Sequence, residues 1–249
     1  MKPEQMPIWL TRTLLLGLGA IFVLMPIHAF ISTWGGTTVG PLWLWKSWKE
    51  ILLVVLSALT LAWLLMSPAT LRSLRTKPLV IGLSLYLVLT VVLAAIHSRD
   101  NGTAATLAGL AMNLRYVGVA ALAYLLFWHG AVSTVWLTRA CWLIIIAGIS
   151  VSIVGILQVL VLPSDFLAYF GYDKATTIAP HVLIDDNPHL LRAFATLRGP
   201  NDFGAFLILP LILVVARVRQ LPSWFSIGSI GMMTWALLLS GSRSAWIGA

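Results

Sequence analysis

Charge is what this sequence has least of. Only 10% of its 249 residues are Asp, Glu, Lys or Arg, against roughly 25% in ordinary soluble domains. That shortage excludes a water-soluble globular chain. Acids are scarcer than bases, 8 against 16, giving a formal net charge of +8. The excess does not read as a nucleic-acid interface, because its cations are scattered through loops between apolar runs. The single cysteine, Cys141, excludes an intrachain disulfide and leaves the redox compartment unread. The short alternating segments of an outer-membrane barrel are missing. So are the Gly-x-Ser-x-Gly, P-loop and dinucleotide-binding fingerprints.

Long apolar runs are abundant. Hydrophobic residues make up 59% of the chain, and mean hydropathy is +0.94. The runs approach the roughly 20 residues that a bilayer crossing needs. Backbone groups in lipid must be satisfied within each segment, so the runs are expected to be helices. The fold class expected is all-α and polytopic, a single membrane domain over 1–249. Seven spans are counted, near 14–31, 51–66, 79–96, 107–127, 141–162, 203–216 and 224–239. The first exceeds a signal-peptide core of about 7–15 residues and has no small-x-small cleavage site after it, so it reads as a retained span. The closing stretch Ser244-Ala245-Trp246-Ile247-Gly248-Ala249 reads as the start of an eighth helix. The expectation is therefore a chain truncated at its C-terminus.

With the N-terminus in the cytoplasm, the cytoplasmic segments hold eight Lys or Arg: Lys2, Arg12, Arg72, Arg75, Lys77, Arg139, Arg217 and Arg219. The short outer loops hold four, Lys46, Lys49, Arg99 and Arg243. That asymmetry favours an inside N-terminus, and the run Trp43-Leu44-Trp45-Lys46-Ser47-Trp48 suits an aromatic belt at the outer interface. The polar segment 163–202 is then extracytoplasmic. Its length between spans is unusual and points to function.

That segment ends in Arg198-Gly199-Pro200-Asn201-Asp202-Phe203-Gly204. A charge at the mouth of a membrane helix is costly and marks a functional-site hypothesis. Pro200 suits a first helical turn. Asn201 and Asp202 are expected to accept from the free N–H groups there. The helix N-terminus and Arg198 together favour an anion. The plainer reading is an interfacial arginine beside a helix cap. A second element, Ser240-Gly241-Ser242-Arg243-Ser244, offers Gly241 as a helix stop and Ser242 as the cap of a following helix. Arg243 would then occupy a first turn on the same face. Two such arginines suit a diphosphate, whereas a tight serine-rich turn is the plainer alternative. Arg115 lies about 12 Å along its span and needs either an ion-pair partner or a wet cavity.

Asp185-Asp186-Asn187-Pro188-His189 matches no strong metal signature and reads as a turn. No metal site is expected. His28, His97, His129 and His181 are isolated in sequence and read as interfacial or structural.

Arg192-x5-Arg198-Gly199-Pro200-Asn201-x2-Gly204, an apolar span and then Ser240-Gly241-Ser242-Arg243-Ser244-Ala245 resemble the O-antigen ligase / O-antigen polymerase family. The resemblance implies a polytopic glycosyltransferase of the bacterial inner (cytoplasmic) membrane, GT-C-like in fold and working without a metal or other cofactor. Its partners would be an undecaprenyl-diphosphate-linked glycan donor, a lipid or glycan acceptor and the bilayer, with no nucleic acid. Transfer would occur at the extracytoplasmic face. Carried over by motif, Arg198 and Arg243 become diphosphate contacts. Arg192 and Arg115 follow by position, and Asn201 and Ser242 would complete the anion site at the two helix starts. The family's candidate basic histidine lies after the Ser-Arg turn, beyond Ala249, so the catalytic base is not assigned in this chain. The alternative is a non-enzymatic transporter or flippase of an anionic lipid-linked polysaccharide. A transporter is expected to gather polar groups near the membrane midplane instead.

Overall fold

The computed structural model describes residues 5–185 and 187–249, without the side chains of 99–101, 188 and 189. Lys2 and Asp186, and the side chains of Arg99 and His189, lie outside the described residues. Ten α-helices form among those described: α1 (Ile8–Leu24), α2 (His28–Thr38), α3 (Leu42–Met66), α4 (Pro68–Arg75), α5 (Pro78–Asn101), α6 (Thr103–Trp128), α7 (Thr134–Leu160), α8 (Pro200–Ala216), α9 (Ser223–Ser240) and α10 (Arg243–Gly248). A small antiparallel hairpin, β1 (Leu183–Ile184) with β2 (Asn187–Leu191), is the one sheet among them.

The chain is a polytopic helical membrane protein. Six segments are long and apolar enough to cross a bilayer: Ile8–Thr38, Leu42–Met66, Pro78–Ser98, Thr103–Trp128, Thr134–Leu160 and Ser223–Ser240. The sixth expected span, near 203–216, corresponds to α8, which is shorter at 17 residues. The first crossing is interrupted at Pro26 by one 3₁₀ turn, because proline lacks the N–H that a continuous helix needs. Proline opens α4, α5 and α8 at the first helical position, where that missing donor costs nothing. Lys46 and Lys49, read as loop charges, instead lie in the first turns of α3. Likewise the loop expected after 96 shrinks to Gly102 alone, with φ at 77° between α5 and α6.

The fold divides into two units, the division passing through α1 and α3. Unit one comprises residues 1–21 and 49–133. Leu10, Leu14 and Leu18 recur every fourth residue, so they share one face of α1, and all are buried. Gly17 lets α3 approach, since a Cβ there would lie 2.7 Å from a Leu56 methyl.

Unit two comprises residues 22–48 and 134–249. Its core joins α7, α8 and α9 through Ile145, Val151, Phe203, Leu207, Val214, Met233 and Leu237. Two glycines of α7 admit bulky groups of α8. A Cβ at Gly155 would sit 2.6 Å from the Phe203 ring, and one at Gly148 would sit 2.5 Å from Pro210. In lipid, where apolar burial gives little drive between helices, such close backbone approach supplies the packing. Ala193, Phe194, Ala195 and Leu197 of the polar segment belong to this same core.

Candidate anion-binding site

At one end of unit two α7 and α9 finish while α8 and α10 begin, and there the segment 192–199 threads among them. Burying non-helical backbone demands that each N–H and C=O be met. Gln158, buried near the end of α7, accepts from the Phe194 and Ala195 N–H groups through one oxygen, at 3.0 and 2.8 Å. The Ala193 N–H donates to the Leu239 carbonyl at 2.9 Å, and the Arg192 N–H to that of Val182 at 2.8 Å. The Tyr172 hydroxyl donates to the Thr196 carbonyl at 3.0 Å, and the Thr196 hydroxyl donates to that of Pro26 at 2.8 Å. Burial pushes the Tyr172 phenol well above its ordinary pKa. Ala195 adopts φ of 50°, a left-handed conformation that a non-glycine residue holds only where its surroundings fix it.

Arg192 links the two motif segments. Its Nε donates to the Ser240 carbonyl at 2.8 Å, and an Nη donates to Asn201 Oδ1 at 3.0 Å. One planar guanidinium thus ties the last residue of α9 to the first turn of α8. Gly241 closes α9 in the left-handed conformation, φ 61°, and a Cβ there would lie 3.0 Å from Arg192 Nε. Gly204 admits the turn itself. A Cβ on it would meet the Cβ atoms of Ser242 and Ala245 at 2.9 Å each. The small residues of both motifs are therefore packing requirements of a single junction.

Asn201 and Asp202 do not cap α8 with their side chains. Asn201 accepts from Arg192, and Asp202 Oδ2 accepts from Arg198 Nε at 2.8 Å, one helical turn away. The reason is competition: a guanidinium is a stronger donor than a neutral amide. Ser242 starts α10 in extended conformation but also makes no side-chain cap. It is buried against Gly204, its N–H donates to Ser240 Oγ at 3.1 Å, and its hydroxyl lies 3.5 Å from that of Ser244. The N–H groups of the first turn of α8 thus keep no side-chain acceptor from these residues.

Arg198 and Arg243 both reach solvent. The Arg198 side chain is 67% exposed despite its aspartate partner. Arg243, the first residue of α10, is exposed and has no hydrogen bond or ion pair among the described residues. The two segments carry three guanidiniums against one carboxylate, so the junction is net positive. A guanidinium has five N–H donors, of which Arg198 commits one to Asp202.

Arg115 lies in unit one. It donates to Glu50 Oε1 at 3.3 Å and to the Tyr116 hydroxyl at 3.0 Å, with its guanidinium 4.9 Å from the Tyr116 ring centre. Glu50 also pairs with Lys49 at 3.4 Å. The required ion-pair partner thus exists, on α3. The spacing does not reveal a further pair, His181 Nδ1 with Asp165 Oδ1 at 2.8 Å, which joins the start of the polar segment to its middle in unit two. Gln158 was legible in principle, as a strong hydrogen-bonding group inside an apolar run. Among the described residues no group of three His, Cys, Asp or Glu side chains is placed to hold a metal ion.

No protein-family model, no curated protein and no solved structure matches this chain.

Proposed function

We propose that the Arg192–Arg198–Arg243 junction binds the diphosphate of an undecaprenyl-linked glycan, and that the protein transfers that glycan to a lipid or glycan acceptor. The observation that carries the reading is the convergence of the two motif segments on Arg192, with Arg198 and Arg243 left exposed beside the start of α8. In the transfer, an acceptor hydroxyl forms the new bond to the anomeric carbon. The bond from that carbon to the diphosphate oxygen breaks, and the diphosphate leaves with the electron pair. Preorganised guanidiniums stabilise the charge that develops on it. The acceptor proton passes to a base that this reading does not assign. The resemblance to the O-antigen ligase / O-antigen polymerase family supplies the carrier, the GT-C-like fold, the bacterial inner membrane and the extracytoplasmic face.

The test is release of undecaprenyl diphosphate from a labelled glycan donor by the full-length protein in proteoliposomes. Replacing Arg198 and Arg243 together by alanine is expected to slow release by at least about a hundredfold, the scale of losing preorganised donors at a developing anion. Unchanged turnover in that double variant would refute the diphosphate assignment. Movement of intact donor across the bilayer without release would instead favour a flippase.

A further inference from the structure

Unit one has its own cationic feature, unrelated to the junction above. α4 is eight residues long and two-faced. Thr70 and Leu74 are buried, whereas Arg72 and Arg75 are exposed and make no ion pair or hydrogen bond among the described residues. Lys77 follows at once, 5.9 Å from the Trp128 ring centre. No acid occurs anywhere in residues 51–98, so nothing local in sequence offsets these three charges.

Alongside α4 runs a cleft of about 220 Å³ bounded by α3, α4, α5 and α6. Leu71 and Leu74 line it from α4, Leu83 from α5, and Ala121 and Leu125 from α6. Arg75 is the single charged residue in its wall. An apolar cleft of this kind holds water poorly and suits a hydrocarbon chain. Its chemistry is that of an amphiphile in negative: a greasy slot with a guanidinium at its wall and a second one three residues away.

We propose that the α4 cleft is a binding site for an anionic phospholipid, with an acyl chain in the slot and the headgroup phosphate on Arg72 and Arg75. Charge complementarity selects the headgroup, because an uncharged or zwitterionic lipid leaves both arginines without net compensation. A bare phosphate ion would fill only the polar half.

The test is native mass spectrometry of the purified full chain in uncharged detergent, titrated with phosphatidylglycerol, phosphatidylcholine or inorganic phosphate. Phosphatidylglycerol is expected to bind at one site with clear preference over phosphatidylcholine. Arg72→Gln with Arg75→Gln should weaken it about thirtyfold, given the usual contribution of each cation near an anionic headgroup. Ala121→Phe, which fills the slot and keeps the charge, should weaken it as well. Arg217→Gln with Arg219→Gln, at a basic turn of unit two, should leave it unchanged. Equal losses in the two arginine pairs would reduce the effect to general surface charge and overturn the site. Equal binding of both lipids would overturn it too, as would phosphate binding as tightly as the lipid.

Discussion

Arg192 and Ser240 are 48 positions apart in sequence, yet Arg192 Nε donates to the Ser240 carbonyl at 2.8 Å. That carbonyl belongs to the last turn of α9, where the helix has no further N–H to offer it. The arginine therefore completes a helix end while its other arm holds Asn201. The proposed binding role and the folding role of Arg192 thus meet in one side chain, and substitutions can separate them.

Replacing Arg192 by lysine keeps the charge and loses the fork, because an ammonium cannot present two fixed coplanar donors. The expected destabilisation is about 1.5–3 kcal/mol, the range for hydrogen bonds to a charged group. Thermal unfolding in detergent measures it. A lysine variant as stable as the wild type would show that the bridge does not hold the junction.

Gly204→Ala should destabilise by about 1–3 kcal/mol, because the new methyl has nowhere to go between Ser242 and Ala245. Gly228→Ala in α9 is the matched control, since a Cβ there meets nothing within 4 Å. It should be neutral or stabilising by up to about 1 kcal/mol, as alanine is the better helix former.

Gln158→Leu is nearly isosteric but removes the one oxygen that accepts from Phe194 and Ala195. Each buried donor left unmet costs about 1–3 kcal/mol. Hydrogen exchange should accelerate at these two amides more than in the centre of α7. Uniform acceleration across α7 would point to general loosening instead.

Tyr172 gives a pH dependence. Burial raises its folded-state pKa. A raised value contributes stability that is complete below the unfolded pKa and fades as pH climbs through the folded one. The alkaline decline should therefore begin at about pH 10, the unfolded value for a tyrosine. Tyr172→Phe should start about 1 kcal/mol lower at neutral pH, for the lost bond to Thr196. It should also decline less steeply above about pH 10. Unfolding midpoints measured from about pH 8 to 11 check both.

The apolar runs predict the spans because hydropathy alone dictates helix in lipid, and six of the seven reach crossing length. The ends were less legible. Trp43 to Lys49 continue α3 as a helix, since tryptophan and lysine are tolerated at an interface whether or not the backbone has left it. Gly102 alone closes the connection between α5 and α6, which no local pattern required. At the junction, the residue types were visible but their pairings were not. Asn201 and Asp202 look like caps by local rules, yet arginines from outside the helix claim both. The burial around 193–197 is not legible locally, because its hydrogen-bond partners, Gln158, Tyr172, Leu239 and Pro26, come from four distant stretches.

The 17 residues of α8 have a consequence for the bilayer. At about 1.5 Å per residue they reach about 26 Å, short of the roughly 30 Å hydrocarbon thickness of an average membrane. A crossing by α8 therefore creates hydrophobic mismatch, which thins the surrounding leaflet or sinks the first turn beneath the headgroup plane. Either adjustment brings the glycerol level of the lipid down to Arg198. A carrier of the proposed kind, embedded by its tail, would meet the guanidinium without first lifting its phosphates out of the membrane.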